Sequence, residues 1–188
     1  MVQGIAVESI DFPLLKEIGD AAFSFCTKLN SINLPSLETI NGSAFCCAGL
    51  TSVSLPSLKR MTGTESFAFC HFTSADFPNL VEASEGAFSY NDSLVNVYLP
   101  KLKSIPNSMF ADCKSLAIIS LPEATMIGSS AFSGCESLIS VSFPEATEVC
   151  YSAFAYCLNL ESVDLPNVAS VQYSVFSNCA KLGTVVKY

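Results

Sequence analysis

The sequence predicts an α/β repeat solenoid of about eight 22-residue coils, and two residue columns and one alternating segment carry this prediction. A column is a set of residues that occupy the same place in successive repeats. One column is proline, at intervals of 21 or 22 residues: Pro13, Pro35, Pro56, Pro78, Pro100, Pro122, Pro144 and Pro166. The other is phenylalanine, at similar intervals: Phe23, Phe45, Phe67, Phe88, Phe110, Phe132, Phe154 and Phe176. A unit of this length cannot bury its own apolar face, but a stack of such units can, so the period indicates a solenoid.

Each repeat follows the pattern A-F-x-x-C-x-x-L-x-x-V-x-L-P-x-L-x-x-I. The V-x-L segment alternates apolar and polar residues as a half-buried strand does, and the proline after it ends the strand. We expect these strands to pair in parallel into one long sheet, about 4.8 Å apart. The L-x-x-I segment then carries the chain around a turn. The Ser-Ala-Phe segment, as at residues 130–132, predicts a short helical or 3₁₀ turn capped by serine.

The phenylalanine column and the position three residues after it are predicted to form a buried ladder. That later position holds Cys26, Cys70, Cys113, Cys135, Cys157 and Cys179, with Ala48 or Cys47 in one coil and Asn91 in another. A buried amide must be hydrogen-bonded, so Asn91 indicates a polar spot that bonds the backbone of the turn. Cysteine fits the same spot as a small apolar residue with a weak donor. We expect these thiols to be mostly reduced, and the vicinal pair Cys46 and Cys47 and the off-register Cys150 to be the most reactive.

Composition and charge exclude several classes of function. Half of the residues are hydrophobic, only 14% are charged, and the formal net charge is −8. This balance argues against disorder and against nucleic acid as a partner, because phosphate binding needs clustered Lys or Arg. No apolar run reaches the roughly 18–20 residues of a membrane span, so no membrane insertion is expected.

Nothing in the sequence predicts catalytic, cofactor-binding or metal-binding residues. The single histidine, His71, follows Cys70, but Cys70 is a ladder position and neighbouring side chains diverge. The six ladder thiols point in parallel, whereas a zinc site needs four ligands that converge. We therefore expect no enzyme activity, no cofactor and no metal.

The repeat pattern resembles that of the BspA-like (Treponema-type) leucine-rich repeat family, and the resemblance covers the whole chain. It implies a right-handed leucine-rich-repeat solenoid, or horseshoe, that belongs to a cell-surface or secreted protein. It also implies protein binding, in adhesion to host matrix or to microbial surface proteins, and it brings no catalytic residues. Two other readings stay open: an intracellular interaction scaffold and a passive spacer or stalk.

The outward positions of the predicted sheet contain the first candidate for partner binding. Curved solenoids present this concave face to their partners. Most of the face is small and polar, but Tyr98 and Ile118 stand out in neighbouring coils, with Asp76 one coil earlier and Lys101 shortly after Tyr98. An aromatic residue beside charge is typical of a contact hot spot. The simpler reading is ordinary variation on a solvated surface.

An aromatic column two residues after the phenylalanines contains the second candidate. Its members are Phe25, Phe69, Tyr90 and Tyr156, and Phe69 and Tyr90 fall in successive coils, where their rings can stack. If exposed, this pair forms an apolar edge patch suited to a partner. If tucked under the turn, it is core, and the general tendency of aromatic side chains to be buried favours that reading.

Residues 1–188 are expected to form one domain. The chain holds eight periods plus 12 residues, counted from Met1 in the phenylalanine column to Tyr188 in the proline column. No capping sequence is visible at either end, so we expect a piece of a longer protein, or a chain whose open ends associate end to end. Residues 1–8 have no basic region and do not resemble a signal peptide.

Overall fold

A computed structural model describes residues 6–186, and their backbone winds through successive coils of about 22 residues. Two rows of short parallel strands run along the stack. A third side, which we call the arch, runs from three residues before each column phenylalanine to three residues after it. The predicted solenoid with parallel pairing between coils is confirmed. Met1 and Tyr188, which entered the count of periods, lie outside the described residues.

The first row consists of the V-x-L segments. Its strands are β1 (Ser9–Asp11), β3 (Ser31–Asn33), β6 (Ser74–Asp76), β7 (Asn96–Tyr98), β9 (Ile118–Ser120), β11 (Ser140–Ser142), β13 (Ser162–Asp164) and β14 (Thr184–Val186). They pair as β1–β3, β6–β7–β9 and β11–β13–β14. The middle residue points inward, as buried Val97 and Val141 do, and its neighbours point outward. The row is thus three short sheets, where one long sheet was expected.

The second row lies where the sequence predicts only a turn. Its two-residue strands are β2 (Glu17–Ile18), β4 (Thr39–Ile40), β5 (Arg60–Met61), β8 (Ser104–Ile105), β10 (Met126–Ile127) and β12 (Glu148–Val149). They form two parallel sheets, β2–β4–β5 and β8–β10–β12. The second residue of each strand is the apolar residue of the L-x-x-I segment, and it is buried in all six. Two residues give no alternating pattern, so the sequence carries no strand signal here.

The arch is a chain of tight turns, and residues 6–186 contain no helix or 3₁₀ segment. The expected short helical turn is therefore wrong. The N–H of Ser133 donates to Ser130 O three residues earlier (3.1 Å), whereas the N–H of Phe132 donates to Ala153 O of the next coil (2.8 Å). A helix would direct every amide along its own axis, whereas this stack uses alternate amides to join neighbouring coils.

Two residues in every arch adopt the left-handed backbone conformation, with φ between 52° and 76°. The first lies two residues before the phenylalanine: Ala21, Ser43, Glu65, Gly86, Ser108, Ser130, Ser152 and Ser174. The second lies two residues after it: Phe25, Cys47, Phe69, Tyr90, Asp112, Gly134, Tyr156 and Asn178. Most of these residue types adopt positive φ only at a cost, so contacts between coils must hold the conformation in place.

The phenylalanine column forms a continuous stack of rings through the core. Its seven consecutive pairs have ring centroids 5.2–5.9 Å apart and planes within 14° of parallel. Six of the eight rings are fully buried: Phe45, Phe67, Phe88, Phe110, Phe132 and Phe154. Phe23 and Phe176 are only partly buried, because each has a ring neighbour on one side only among the described residues.

Five thiols of the ladder tie their coil to the one before it. Their Sγ atoms lie 3.0–3.2 Å from the carbonyl oxygen of the preceding column phenylalanine, in the pairs Cys70–Phe45, Cys113–Phe88, Cys135–Phe110, Cys157–Phe132 and Cys179–Phe154. Cys179 is only partly buried, whereas Cys26 is buried. Asn91 donates to Phe67 O (2.9 Å) and to Phe88 O (2.7 Å). The eight cysteines from Cys46 to Cys179 are free thiols in the structure.

Candidate functional site

Three of the four predicted partner-binding residues lie together on the outward face of the first row. Asp76, Tyr98 and Ile118 line one shallow depression of about 400 Å³. Pairing in the sheet sets their positions. Asp76 of β6 is opposite Tyr98 of β7, and Asn96, at the other end of β7, is opposite Ile118 of β9. Tyr98 and Ile118 are therefore diagonal neighbours on adjacent strands, a separation that large side chains can bridge.

The depression combines large apolar side chains with small polar ones. Tyr98, beside buried Val97, is 48% exposed, and Ile118, beside partly buried Ile119, is 61% exposed. Ser74 and Ser120 line the same depression and leave room above the backbone between the two larger side chains. The site thus offers an aromatic ring, a branched aliphatic side chain and a carboxylate to one partner.

Lys101 does not join this group. It follows Pro100, which ends the strand, and its Nζ donates to Asn79 Oδ1 at 2.7 Å. Lys101 does not line the depression beside Tyr98, so its contribution to partner binding stays a prediction.

Phe69 and Tyr90 form an exposed stacked pair on the arch. Their ring centroids are 4.6 Å apart with planes at 4°, and the residues are 42% and 48% exposed. Phe25 and Tyr156 of the same column are exposed as well. Core filling, the reading that aromatic burial favoured, is therefore wrong. Positive φ at this column directs the side chain out of the coil, and none of these residue types carries a sequence signal for that conformation.

The buried thiols are poor candidates for nucleophilic chemistry. Burial raises the pKa of Cys70 to about 12, so its thiol stays protonated at neutral pH, and His71 beside it is exposed. Burial, with a smaller contribution from the hydrogen bond to Cys47, raises the pKa of Cys46 to about 12. Burial, followed by the charge of Glu148, also raises the pKa of Cys150. These shifts run against the expectation that Cys46 and Cys150 are reactive.

Clusters of metal-ligating side chains and membrane-spanning helices are two further kinds of feature that bear on function. Within residues 6–186, no group of three or more His, Cys, Asp or Glu side chains is arranged to hold a metal ion. None of these residues forms a helix long and apolar enough to cross a membrane.

Sequence reasoning missed a second depression, which lies on the arch. It has a volume of about 340 Å³ and lies among Glu65, Glu85, Gly86 and Tyr90. One signal was present in the sequence: Gly86 stands in a column where five other coils have serine. A missing side chain in an otherwise regular column is the kind of irregularity that opens a depression.

Comparison with known proteins gives one family and several similar structures. The profile of the BspA type leucine rich repeat region matches six copies, over residues 3–117 and 60–183. A leucine-rich repeat protein from Bacteroides ovatus is 30% identical, with a TM-score of 0.68 over 96% of this chain and 55% of that protein. No curated protein sequence matches the chain.

Two further solved structures share the fold at lower sequence identity. A leucine rich cell surface protein from Faecalibacterium prausnitzii is 23% identical, with a TM-score of 0.63 over 96% of this chain and 60% of that one. The pneumococcal vaccine antigen PcpA is 22% identical, with a TM-score of 0.63 over 96% and 56%. The chain thus spans between 55% and 60% of the length of these three solved structures.

Proposed function

Because the chain belongs to the BspA-type leucine-rich repeat family, we propose that it is a non-enzymatic module that binds a protein partner through the outward face of its first strand row. The depression lined by Asp76, Tyr98 and Ile118 is the observation that carries this proposal. It is the place on that face where an exposed aromatic residue and an exposed branched aliphatic residue lie on adjacent strands.

The chemistry of the depression suits a protein contact better than a small-molecule site. Tyr98 and Ile118 lose little conformational freedom on binding, since short strands already hold their backbones. Hot spots of interfaces are enriched in such tyrosines, whose truncation costs about 2 kcal/mol or more. Asp76 adds a charge at the edge, which affects partner choice and association rate more than affinity.

Substitution of the two large residues tests the binding face. Tyr98→Ser and Ile118→Ser are each expected to weaken partner binding about tenfold or more, because each removes apolar contact area at the centre of the face. Ile139→Ser is a matched control, since Ile139 is also exposed but does not line the depression. Binding would be measured by surface plasmon resonance against a panel of matrix and microbial surface proteins.

The results of the panel distinguish a binding module from a passive spacer. If the panel contains a binder whose affinity neither substitution changes, the proposed face is wrong. If no protein in a broad panel binds at all, the spacer reading replaces the binding module.

We further propose that the module is displayed on a cell surface or secreted and acts in adhesion to host or microbial surface proteins. The resemblance to BspA-like repeats supports this proposal. The Faecalibacterium prausnitzii structure is that of a protein named as a cell surface protein, although a likeness of 23% identity bears on the fold alone. Such a display would give avidity when several modules contact one surface.

One observation favours the alternative of an intracellular scaffold. The eight cysteines from Cys46 to Cys179 are free, and five of them are buried, a state that suits a reducing compartment. Protease treatment of intact source cells distinguishes the two locations. Rapid loss of this chain while a cytoplasmic marker survives supports surface display, whereas full protection until lysis supports the scaffold.

A further inference from the structure

The depression on the arch lies between two acidic side chains and an aromatic ring. Glu65 and Glu85 belong to the columns two and three residues before the phenylalanine, and Tyr90 to the column two residues after it. The depression, of about 340 Å³, spans coils that adjoin one another in the stack. It involves neither strand row, so it is separate from the binding face proposed above.

Gly86 lines this depression and has no side chain to project into it. It adopts φ of 62°, as the serines of its column adopt φ of 53–59° in other coils. A Cβ atom at Gly86 would lie 3.2 Å from the Cγ of Glu65 and 3.4 Å from the Oγ of Ser89. A side chain here would therefore press on the Glu65 side chain, which would have to move aside, without requiring a new backbone conformation.

Neither carboxylate forms an ion pair with a basic side chain among the described residues. Both glutamates are exposed. The ion pairs within residues 6–186 join Glu38 to Lys16 and Lys59, and Asp92 to Lys114, so neither Glu65 nor Glu85 takes part in one. Since the chain also carries a net charge of −8, this depression attracts a cation.

The ring of Tyr90 supplies an apolar wall. Phe69 of the preceding coil stacks on one face of the ring at 4.6 Å. The following coil places only the small residues Ser108 and Ala111 at the depression. A flat side chain that lies against Tyr90 can therefore reach the glutamates on the other side.

We propose that this depression binds an arginine side chain of a partner protein. A guanidinium group combines a positive charge, a planar fork of donors that matches carboxylates, and a face that stacks on aromatic rings. Its methylene stem lies along Tyr90, while its head lies between Glu65 and Glu85. The arch and the strand face then contact different parts of a partner, or two partners.

NMR titration with a capped Gly-Arg-Gly peptide tests the site at low ionic strength, and the citrulline analogue provides a neutral comparison. We expect the arginine peptide to shift the ring signals of Tyr90 and the amide of Gly86, and the citrulline peptide to shift neither. Gly86→Ser should weaken binding about fivefold or more, because the added side chain would displace that of Glu65. Serine occurs at this position in other arches, so the variant should fold.

Further variants separate this site from general attraction to an acidic protein. Tyr90→Asn should also weaken binding, and asparagine tolerates positive φ. Tyr156→Asn, in the same column but away from the depression, and Glu123→Gln, which removes a charge elsewhere, should have no effect. Tyr98→Ser should leave arginine binding intact, so the outcome does not depend on the strand face. Shifts spread over the whole acidic surface, or equal affinity of the Gly86→Ser variant, would overturn the proposal.

Discussion

Asn91 occupies the ladder position that holds a cysteine in six other coils. Unlike a thiol, its side chain carries its donor and its acceptor on separate atoms. Its amide nitrogen donates to two backbone carbonyl oxygens, but its Oδ1 atom is buried and has no hydrogen-bond partner among the described residues. A buried polar atom without a partner costs about 1–3 kcal/mol, which offsets much of what the two donated bonds contribute.

This balance predicts different outcomes for two substitutions. Asn91→Ala should lower the free energy of unfolding by about 2–3 kcal/mol, because it removes both donors and leaves a small void. Asn91→Cys should remain within about 1 kcal/mol of the native protein, because a thiol keeps a donor near Phe67 O and removes the unpaired oxygen. Urea denaturation measures both. Equal destabilisation by the two substitutions would show that the donor contributes nothing.

The raised pKa values of the ladder thiols predict a loss of stability at alkaline pH. Burial raises the pKa of Cys70 and of Cys113 from the ordinary 9.0 to about 12. The stabilisation is complete below pH 9, where both folded and unfolded thiols are protonated, and it is lost as pH rises from about 9 to 12. At pH 10, ionisation of the unfolded state costs about 1.4 kcal/mol for each such thiol.

A cysteine variant isolates this contribution from that of other groups that titrate at high pH. Cys113→Ala should be less stable than the native protein at pH 8, yet lose about 1.4 kcal/mol less between pH 8 and pH 10. Urea denaturation under reducing conditions at the two values gives the comparison. An identical drop in both proteins would mean that the Cys113 thiol ionises as readily when folded as when unfolded.

At the scale of the element, the sequence predicts the coil and its core but not the path of the arch. The apolar columns repeat at a fixed interval, so the stacking of Phe110 on Phe132 follows from burial alone. The left-handed positions do not follow, because serine, phenylalanine and tyrosine occupy most of them. Only Gly86, Asp112, Gly134 and Asn178 give a local signal for positive φ.

The contrast between regular strand positions and the arch also explains which parts of the two sites could be predicted from the sequence. Tyr98 and Ile118 were identified because strand alternation fixes which residues face outward. The depression beside Tyr90 was missed because it depends on how far the arch side chains extend and on one absent side chain, at Gly86. The second strand row was missed because pairing between coils, rather than a pattern within one coil, defines it.

Close packing of one coil on the next predicts a strong effect at Gly49. A Cβ atom there would overlap the backbone carbonyl of Thr27 in the preceding coil, and backbone cannot move aside as a side chain can. Gly49→Ala should therefore lower the free energy of unfolding by about 3 kcal/mol. Gly19→Ala is the matched control, since nothing lies within 4 Å of its added methyl group, and it should change stability by less than about 0.5 kcal/mol. Thermal denaturation of the two variants gives the comparison, and similar melting temperatures would contradict this close approach.

At the scale of the whole molecule, stability is shared between neighbouring coils, and no central core joins distant ones. Every strand pairs only with strands of adjacent coils. Each column ring stacks on the next ring of its column, and the contacts of column rings with other aromatic rings, such as those of Phe77 with Phe67 and Phe88, also stay within neighbouring coils. The first row is already interrupted between β9 and β11, so the coils of Phe110 and Phe132 are joined by the arch, by the second row and by their 5.3 Å ring stack. A break at this junction should therefore divide the molecule.

Phe110→Ala makes that break. It removes a fully buried ring that lies 5.5 Å from Phe88 and 5.3 Å from Phe132, at a cost of about 3–5 kcal/mol. In a stack with only nearest-neighbour coupling, this loss separates the coils on the two sides, so unfolding should proceed in two transitions. Phe176→Ala removes a partly buried ring that stacks on one other ring among the described residues. It should therefore lower the free energy of unfolding by less and leave one main transition.

Hydrogen exchange measured by mass spectrometry in increasing urea locates each transition along the chain. Simultaneous exchange of all coils in the Phe110→Ala variant would show that the solenoid unfolds as one cooperative unit, with coupling that extends beyond adjacent coils.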